Sequence, residues 1–310
     1  MNLPPDSAVD LLETPESESA PSSPTRPFYW SVRRELWENR SIYLGPLAVA
    51  AVIVLGFLVS TVGLPERVRG LTQLALPLQY ERVNGPFHAA AGLPVVAAFL
   101  VAVFYCLDAL NGERRDRSIL FWKSLPVSDR TTVLAKAAVP LVVLPAIVYP
   151  LVIVTHLIML LVSSAVLAAS GAGVALFWDR LPLFQLWIAF LYALVAIALW
   201  HAPVYAWLLL VSAWARRAAF LWAVLPLVAV AVFEAVAFRT SNFAHAVSHR
   251  LVGWFTLGFA PEVPDVSPGN PLTDLTPGRL LGSPGLWLGL LVTVVFLAAA
   301  VRLRRYREPL

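Results

Sequence analysis

The chain has 310 residues, of which 59% are hydrophobic and only 14% are charged. Soluble domains carry about 25% charged residues, so this composition excludes an ordinary soluble protein and predicts an integral membrane protein. The net charge of +4 does not point to nucleic acid as a partner. The Lys and Arg residues flank apolar segments and form no basic stripe interleaved with aromatic residues.

The first segment, 1–26, is acidic and rich in Pro and Ser, and it lacks the apolar core of a signal peptide. Such a composition cannot bury enough apolar surface to fold. We therefore expect a disordered cytosolic tail at 1–26, followed by one membrane domain at 27–310.

The segment Pro27–Ser41, PFYWSVRRELWENRS, comes directly before the first apolar run. Phe28, Val32 and Leu36 recur at helical spacing, with tryptophans beside them. The opposite face is polar and is formed by Ser31, Arg34, Glu35 and Glu38. This pattern predicts an amphipathic helix that lies in the inner membrane interface. A cytosolic extension of the first span is the alternative.

Six apolar runs are long enough to span a bilayer, and they predict an all-α membrane fold. They are Ile42–Gly63, Gly92–Leu110, Ala137–Ala169, Leu183–Trp214, Ala218–Phe238 and Gly285–Val301. An even number of spans puts both termini on one side. That side holds 16 of the 23 Lys and Arg residues, so we expect cytoplasmic termini. The third and fourth runs exceed one crossing, and their prolines, Pro140, Pro145, Pro150 and Pro203, offer bend points.

The most densely charged segment, LDALNGERRDRSILFWKSLPVSDRTTVLAK, lies between the second and third runs. Its apolar residues 119–122 stand inside charged sequence, and Pro126 breaks any helix there. Ser128 is placed to cap a helix that begins at Asp129 and carries Lys136 into the third span. Apolar anchors rimmed by charge are typical of a protein-docking surface. A solvated loop with its aromatic residues in the interface is the alternative.

The long segment between the fifth and sixth runs begins with FAHAVSHRLVGWFTLGF. It is too short and too mixed to cross the membrane. We expect an element that is partly re-entrant from the outer side, and an exposed loop is the alternative. His245 and His249 would share a helix face, but no third metal ligand is evident, so no metal site is predicted.

No Walker-type phosphate loop and no HExxH, GxSxG or CxxC motif occurs in the sequence. ATP hydrolysis by a Walker-type site on this chain is thereby excluded. Polar groups within or at the ends of the spans form a candidate substrate path. They are Asp108, His156, His201 and Glu234. A polar contact at a helix end is the alternative for Glu234. An intramembrane enzyme that used His156, His201 and Glu234 would need these three side chains to lie together at one depth in the membrane.

Over roughly residues 27–307 the chain resembles the membrane subunit of ABC-2 type transporters. FYWSVRRELWENRSIYLGPL is similar to the connecting helix that leads into the first span of that family. The family has a Glu after the second span, a Leu-Pro-x-Ser turn and a Lys before the third. The matching residues are Glu113, Leu125, Pro126, Ser128 and Lys136. The Gly-Thr that often follows the family's Glu is replaced here by Arg-Arg-Asp-Arg-Ser.

The resemblance implies a permease, with the loop 111–136 as the coupling helix for a separate ATP-binding subunit. The implied contact residues are Glu113, Arg114, Asp116, Arg117, Leu120, Phe121, Trp122, Lys123, Leu125, Pro126 and Ser128. ATP and Mg²⁺ are expected on two copies of that subunit, and no cofactor is expected on this chain. The other expected partners are a second copy of this permease, or a similar chain, and membrane lipid. The implied location is the bacterial inner membrane, and the implied direction is export. A noncatalytic membrane scaffold or sensor is the alternative function.

Overall fold

The structure is a computed structural model, and it describes residues 25–71, 73–116, 127–259 and 270–306. Helices dominate this part of the chain, and an isolated antiparallel bridge joins Phe259 to Leu275. A helix satisfies its own backbone hydrogen bonds, which a segment in lipid must do because no water is present. Of the predicted tail 1–26, only Thr25 and Arg26 fall in the described residues, and they begin the first helix.

The helices of the described residues are numbered in chain order. They are α1 (Thr25–Glu38), α2 (Ser41–Ser60), α3 (Leu64–Leu71), α4 (Leu76–Asp108), α5 (Asn111–Arg115), α6 (Asp129–Ala138), α7 (Leu144–Ala169), α8 (Val174–Asp179), α9 (Leu183–Trp214), α10 (Ala219–Phe238), α11 (Asn242–Gly258), α12 (Pro277–Leu281) and α13 (Pro284–Tyr306). A 3-10 turn at Thr61–Gly63 precedes α3, and a π-helical turn at Val139–Val143 joins α6 to α7.

Six helical segments of the described chain are long and apolar enough to cross a membrane, which confirms the predicted number of spans. The fourth span, α9, has the predicted bounds, Leu183–Trp214. The second was predicted to begin at Gly92, but α4 begins at Leu76. Val83 and Phe87 are buried on one face of this extension, so packing continues the helix beyond the apolar run.

The third span is helical from Asp129 to Ala169 and contains the π-helical turn at Val139–Val143. Pro140 lies in that turn, and Pro145 follows it. A proline lacks the N–H that would bond to the carbonyl of the preceding turn, so the local bonding pattern must change. The irregularity therefore falls at predicted bend points.

The predicted N-terminal helix is α1, which ends at Glu38 rather than Ser41. Part of its predicted polar face is turned inward, since Ser31 and Glu35 are buried, whereas Glu38 of the same face is exposed. Its aromatic residues face outward, with Trp30 and Trp37 more than half exposed. This orientation suits an interfacial helix whose aromatic face contacts lipid, although the membrane position of α1 stays a prediction.

The long helix α9 is central to the bundle, and it packs against α4, α7, α10, α11 and α13. The fifth span, α10, is little buried within the chain, as is the first span. Its buried residues in the described structure are Ala219 and Ala223. Most of its apolar surface is therefore left for lipid or for another chain.

The helix α11 lies between the fifth and sixth spans, where the sequence predicted a partly re-entrant element. Trp200 and His201 of α9 lie within hydrogen-bond distance of backbone carbonyls of α11. These contacts dock α11 on the central helix. Residues 260–269 lie outside the described residues, and a position within the membrane stays a prediction.

Candidate functional site

The predicted docking loop is described only at its two flanks. Seven of its predicted contact residues lie outside the described residues. They are Arg117, Leu120, Phe121, Trp122, Lys123, Leu125 and Pro126. The other four, Glu113, Arg114, Asp116 and Ser128, belong to the flanks. The geometry of these flanks is what the structure adds to the sequence.

The first flank is the short helix α5, which is docked on the end of α9. The Ser212 hydroxyl accepts hydrogen bonds from the N–H groups of Leu110 and Asn111, at 3.0 and 2.9 Å. Arg114 in turn donates to the carbonyl oxygens of Ser212 and Ala215, at 2.8 and 2.5 Å. A guanidinium at the C-terminal end of a helix is stabilised by the carbonyls that lack partners there.

The second flank is the beginning of α6, and it follows the sequence prediction. The Ser128 side chain accepts a hydrogen bond from the Thr131 N–H at 3.1 Å, which confirms Ser128 as the N-cap and Asp129 as the first helical residue. The Asp129 carboxylate accepts from Arg304 Nε at 3.0 Å. This flank is therefore tied to α13.

Arg304 connects the two flanks of the loop. Besides Asp129, it also donates to Glu113 on the first flank. Its side chain is only 4% exposed, and that of Glu113 is 8% exposed. One buried guanidinium on the last described helix thus links the two flanks of the loop.

The same carboxylate of Glu113 is shared with α1 and α6. Lys136 Nζ lies 3.0 Å from Glu113 and 2.9 Å from Glu35. Arg34 also contacts both carboxylates, at 3.0 and 2.7 Å. The second oxygen of Glu35 accepts from the Tyr105 hydroxyl at 2.8 Å.

Six of these ionised side chains form what we call the junction cluster. They are Arg34, Glu35, Glu113, Asp129, Lys136 and Arg304. Three are cations and three are anions, and Glu38 adds a half-exposed carboxylate 3.6 Å from Arg34 Nε at the edge of the cluster. Burial lowers the pKa of Arg34, but the carboxylates of Glu35 and Glu113 outweigh it and raise that pKa. The cluster brings α1, α5, α6 and α13 together at one end of the bundle, called the charged end below.

A buried ion cluster adds little net stability, because desolvation offsets much of the attraction. Loss of one partner nevertheless costs about 3–5 kcal/mol, since a buried charge is left uncompensated. The cluster therefore favours one arrangement of the four helices over nearby alternatives. A displacement of either loop flank moves all four helices together or breaks ion pairs.

Two contact residues predicted from the family pattern are buried within the chain itself. Glu113 is in the junction cluster, and Arg114 is 3% exposed against the end of α9. Both are placed to position the loop, and neither presents its side chain to a partner in this arrangement. Asp116 and Ser128 are exposed, and for them the contact stays a prediction.

The four candidate path residues do not contact one another. Asp108 is largely exposed beside Arg115, whose Nη1 is 3.5 Å from its carboxylate. His156 is buried, with Nε2 2.9 Å from the Phe87 carbonyl oxygen and Nδ1 accepting from Trp187 at 3.2 Å. Both ring nitrogens of His156 are thus used in holding helices together.

His201 and Glu234 also have structural partners. His201 lies 3.0 Å from the Ile197 carbonyl on its own helix and 3.0 Å from the Leu251 carbonyl on α11. Glu234 accepts hydrogen bonds from the backbone N–H groups of Asn242 and Phe243, at 2.9 and 2.7 Å. This is the helix-end contact considered as the alternative for Glu234, because it caps the N-terminus of α11.

These contacts leave the enzyme hypothesis without its convergent set. His156, His201 and Glu234 have separate partners, and no group of three or more potential metal ligands lies together within the described residues. The junction cluster is a better-defined functional candidate. Sequence reasoning missed it because Glu35 was assigned to a polar helix face and Asp129 to a helix start, and neither was paired with a distant cation. One signal in the sequence could have indicated the cluster. A few carboxylates stand among the many cations at the predicted inner ends of the spans, where they could form ion pairs.

Comparison with known proteins identifies no relative of this chain. No family model, no curated protein and no solved structure matches it. The resemblance to ABC-2 type permeases therefore stays a prediction from the sequence. What the structure establishes is a helical protein with six candidate membrane spans and a buried charge cluster that includes residues from both flanks of the loop.

Proposed function

We propose that this chain is the permease subunit of an ATP-driven transporter of the ABC-2 type. A separate ATP-binding subunit would dock on the loop 117–126, with ATP and Mg²⁺ bound on that subunit. The proposal rests on the family-like segments of the sequence, on the six candidate spans and on the absence of a Walker-type phosphate loop.

The observation that carries the proposal is the double attachment made by Arg304. Glu113 and Asp129 stand on opposite flanks of the loop, and Arg304 binds both. A loop anchored in this way can transmit force, because its ends cannot move independently of the bundle. A freely hinged loop would absorb the motion of a partner instead.

The proposed mechanism is a shift between two arrangements of the spans. The ATP-binding subunit would hold the loop differently in its ATP-bound and ATP-free states, and this difference in binding biases the equilibrium. Movement of the loop would pull on α6 and, through Arg304, on α13. The π-helical turn Val139–Val143 follows α6 directly in the chain and offers a place where the third span can bend.

The remaining parts of the proposal follow from the same resemblance. Six spans are half of the usual family complement, so two copies of this chain, or one with a similar chain, would pair with two ATP-binding subunits. The charged end would face the cytoplasm, because it holds most of the Lys and Arg residues. The protein would then lie in a bacterial inner membrane with cytoplasmic termini and act as an exporter.

The test is purification of the chain from its native membranes in mild detergent, followed by assay of co-purifying ATP hydrolysis. We expect a co-purifying ATPase that is lost when Phe121→Ala and Trp122→Ala are combined. A matched control combines Trp178→Ala with Phe238→Ala. Trp178 and Phe238 are exposed and lie away from the charged end. The control should retain the ATPase.

A second variant separates docking from coupling. Arg304→Gln leaves the loop sequence intact but removes the link between its flanks. We expect this variant to keep the ATPase subunit. The change in its ATP hydrolysis rate on transfer from detergent to a reconstituted membrane should be smaller than that of the parent protein. Recovery of a folded chain without any ATPase, under conditions that preserve other membrane complexes, would refute the permease and favour the noncatalytic scaffold or sensor.

A further inference from the structure

A groove of about 540 Å³ runs between α6 and α13 at the charged end. The groove is separate from the junction cluster, because none of the six cluster residues lines it. Its lining residues are Arg130, Leu134, Val294, Leu297, Ala298, Val301, Arg302, Arg305 and Tyr306. The volume is within the range of small-molecule sites, about 300–1,000 Å³.

Three arginines stand at one end of this groove. Arg130, Arg302 and Arg305 are all exposed, and none of them forms an ion pair or a hydrogen bond within the described part of the chain. The lining contains no carboxylate. Arg304, on the same helix, points inward to the junction cluster, whereas Arg302 and Arg305 are three residues apart and share the groove face.

The walls of the groove away from the arginines are apolar. Val294, Ala298 and Val301 follow one another along α13 at helical spacing and lead to Arg302. Leu134 faces them from α6 and is 50% exposed. The groove thus has a cationic end and an apolar end, aligned along a helix that is apolar enough to cross the membrane.

We propose that this groove binds an anionic glycerophospholipid. Its phosphate would accept hydrogen bonds from the three guanidinium groups, which match phosphate oxygens in geometry and charge. Its acyl chains would lie along Leu134 and Val294. Basic pockets between spanning helices, at the depth where the apolar run ends, are suited to anionic headgroups. This inference requires a membrane protein but does not depend on a transport function.

The charge of the groove disfavours a second copy of this chain as the occupant. A two-fold symmetric contact through this face would place the same patch of both copies together. Six guanidinium groups would then meet without a carboxylate among the lining residues. An anionic lipid neutralises the same cations.

The test is native mass spectrometry of the full chain in nonionic detergent. Dioleoyl phosphatidylglycerol is titrated against dioleoyl phosphatidylcholine, which has the same acyl chains but a zwitterionic headgroup. We expect tighter binding of phosphatidylglycerol. Each arginine near an anionic lipid is worth about fivefold in affinity, so Arg130→Gln, Arg302→Gln and Arg305→Gln together should weaken this binding by at least about tenfold.

The matched control removes three other exposed arginines at the charged end, through Arg40→Gln, Arg216→Gln and Arg217→Gln. It should keep most of the preference for phosphatidylglycerol. A further variant, Ala298→Trp, fills the apolar part of the groove without changing charge, and it should also weaken binding of the lipid.

Three results would overturn the proposal. Equal losses in the groove and control variants would mean that the lipid responds only to total charge. Displacement of the lipid by inorganic phosphate at a similar concentration would identify free phosphate as the ligand. A loss of dimers in the groove variant, with lipid binding unchanged, would identify a second copy as the occupant.

Discussion

Replacing Glu113 by Gln keeps the size of the side chain but removes a buried negative charge. Three cations share that charge: Lys136, Arg34 and Arg304. After the change, the same three cations share one buried carboxylate fewer at a site that is almost closed to water. The nearby carboxylate of Glu38 cannot replace it, because it is 44% exposed and reaches only Arg34 Nε, at 3.6 Å. We expect the variant to be destabilised by about 3–5 kcal/mol.

The loss is measurable as thermal stability in detergent. For a chain of this size, 1 kcal/mol corresponds to a few degrees in melting temperature, so Glu113→Gln should lower it by on the order of 10 °C. The fraction of protein that stays monodisperse after heating can be followed by tryptophan fluorescence in size-exclusion chromatography. As a control, Glu66→Gln removes an exposed carboxylate and should stay within about 0.5 kcal/mol of the parent.

A double-mutant cycle tests the reason for the loss. Lys136→Met alone should also destabilise the protein, because it leaves the carboxylates in excess. The combination of Glu113→Gln with Lys136→Met restores the balance, so it should cost less than the sum of the single changes by about 1–3 kcal/mol. Additive losses would refute the idea that the two side chains compensate each other's charge.

Three further changes test individual contacts. Ser128→Ala should cost about 1 kcal/mol of stability through loss of the N-cap, whereas Ser128→Asp should keep it; equal losses in the two would contradict capping. A Cβ on Gly45 would lie 2.7 Å from a methyl carbon of Val101, so Gly45→Ala should cost about 1–3 kcal/mol. Gly56→Ala, with open space around it, should be tolerated, and a similar loss there would argue against close packing as the cause. Glu234→Ala should speed hydrogen exchange of the first amides of α11, and unchanged exchange would show that Glu234 is not its cap.

The location of the junction cluster changes how the loop should be probed by mutation. Charge reversal at Glu113 or Arg114 would disturb buried contacts, so loss of function there would not identify a docking surface. Substitutions at Phe121 and Trp122 address the docking hypothesis directly. Substitutions at Arg304 address the attachment of the loop to the bundle.

The sequence alone determined the helical class, the six candidate membrane spans and the start of α6. These features depend on local physics: a long apolar run needs a helix in lipid, and a serine can cap the helix that begins at the next residue. The bounds of α9 follow from equally local signals, because Arg180 and Pro182 precede its apolar run and Arg216 and Arg217 follow it. Where tertiary packing continues a helix, as at the start of α4, the hydropathy pattern places the boundary too late.

Only the tertiary structure decided which charges meet. Arg304 and Glu113 are 191 positions apart, and Glu35 and Tyr105 are 70 apart, so no periodicity in the sequence links them. Glu35 belongs to a polar helix face. From composition alone, that face could equally be exposed to water or be packed against another helix with polar partners. The packing of α1 and of α13 against α6 removes that face from water and makes each carboxylate depend on a specific cation.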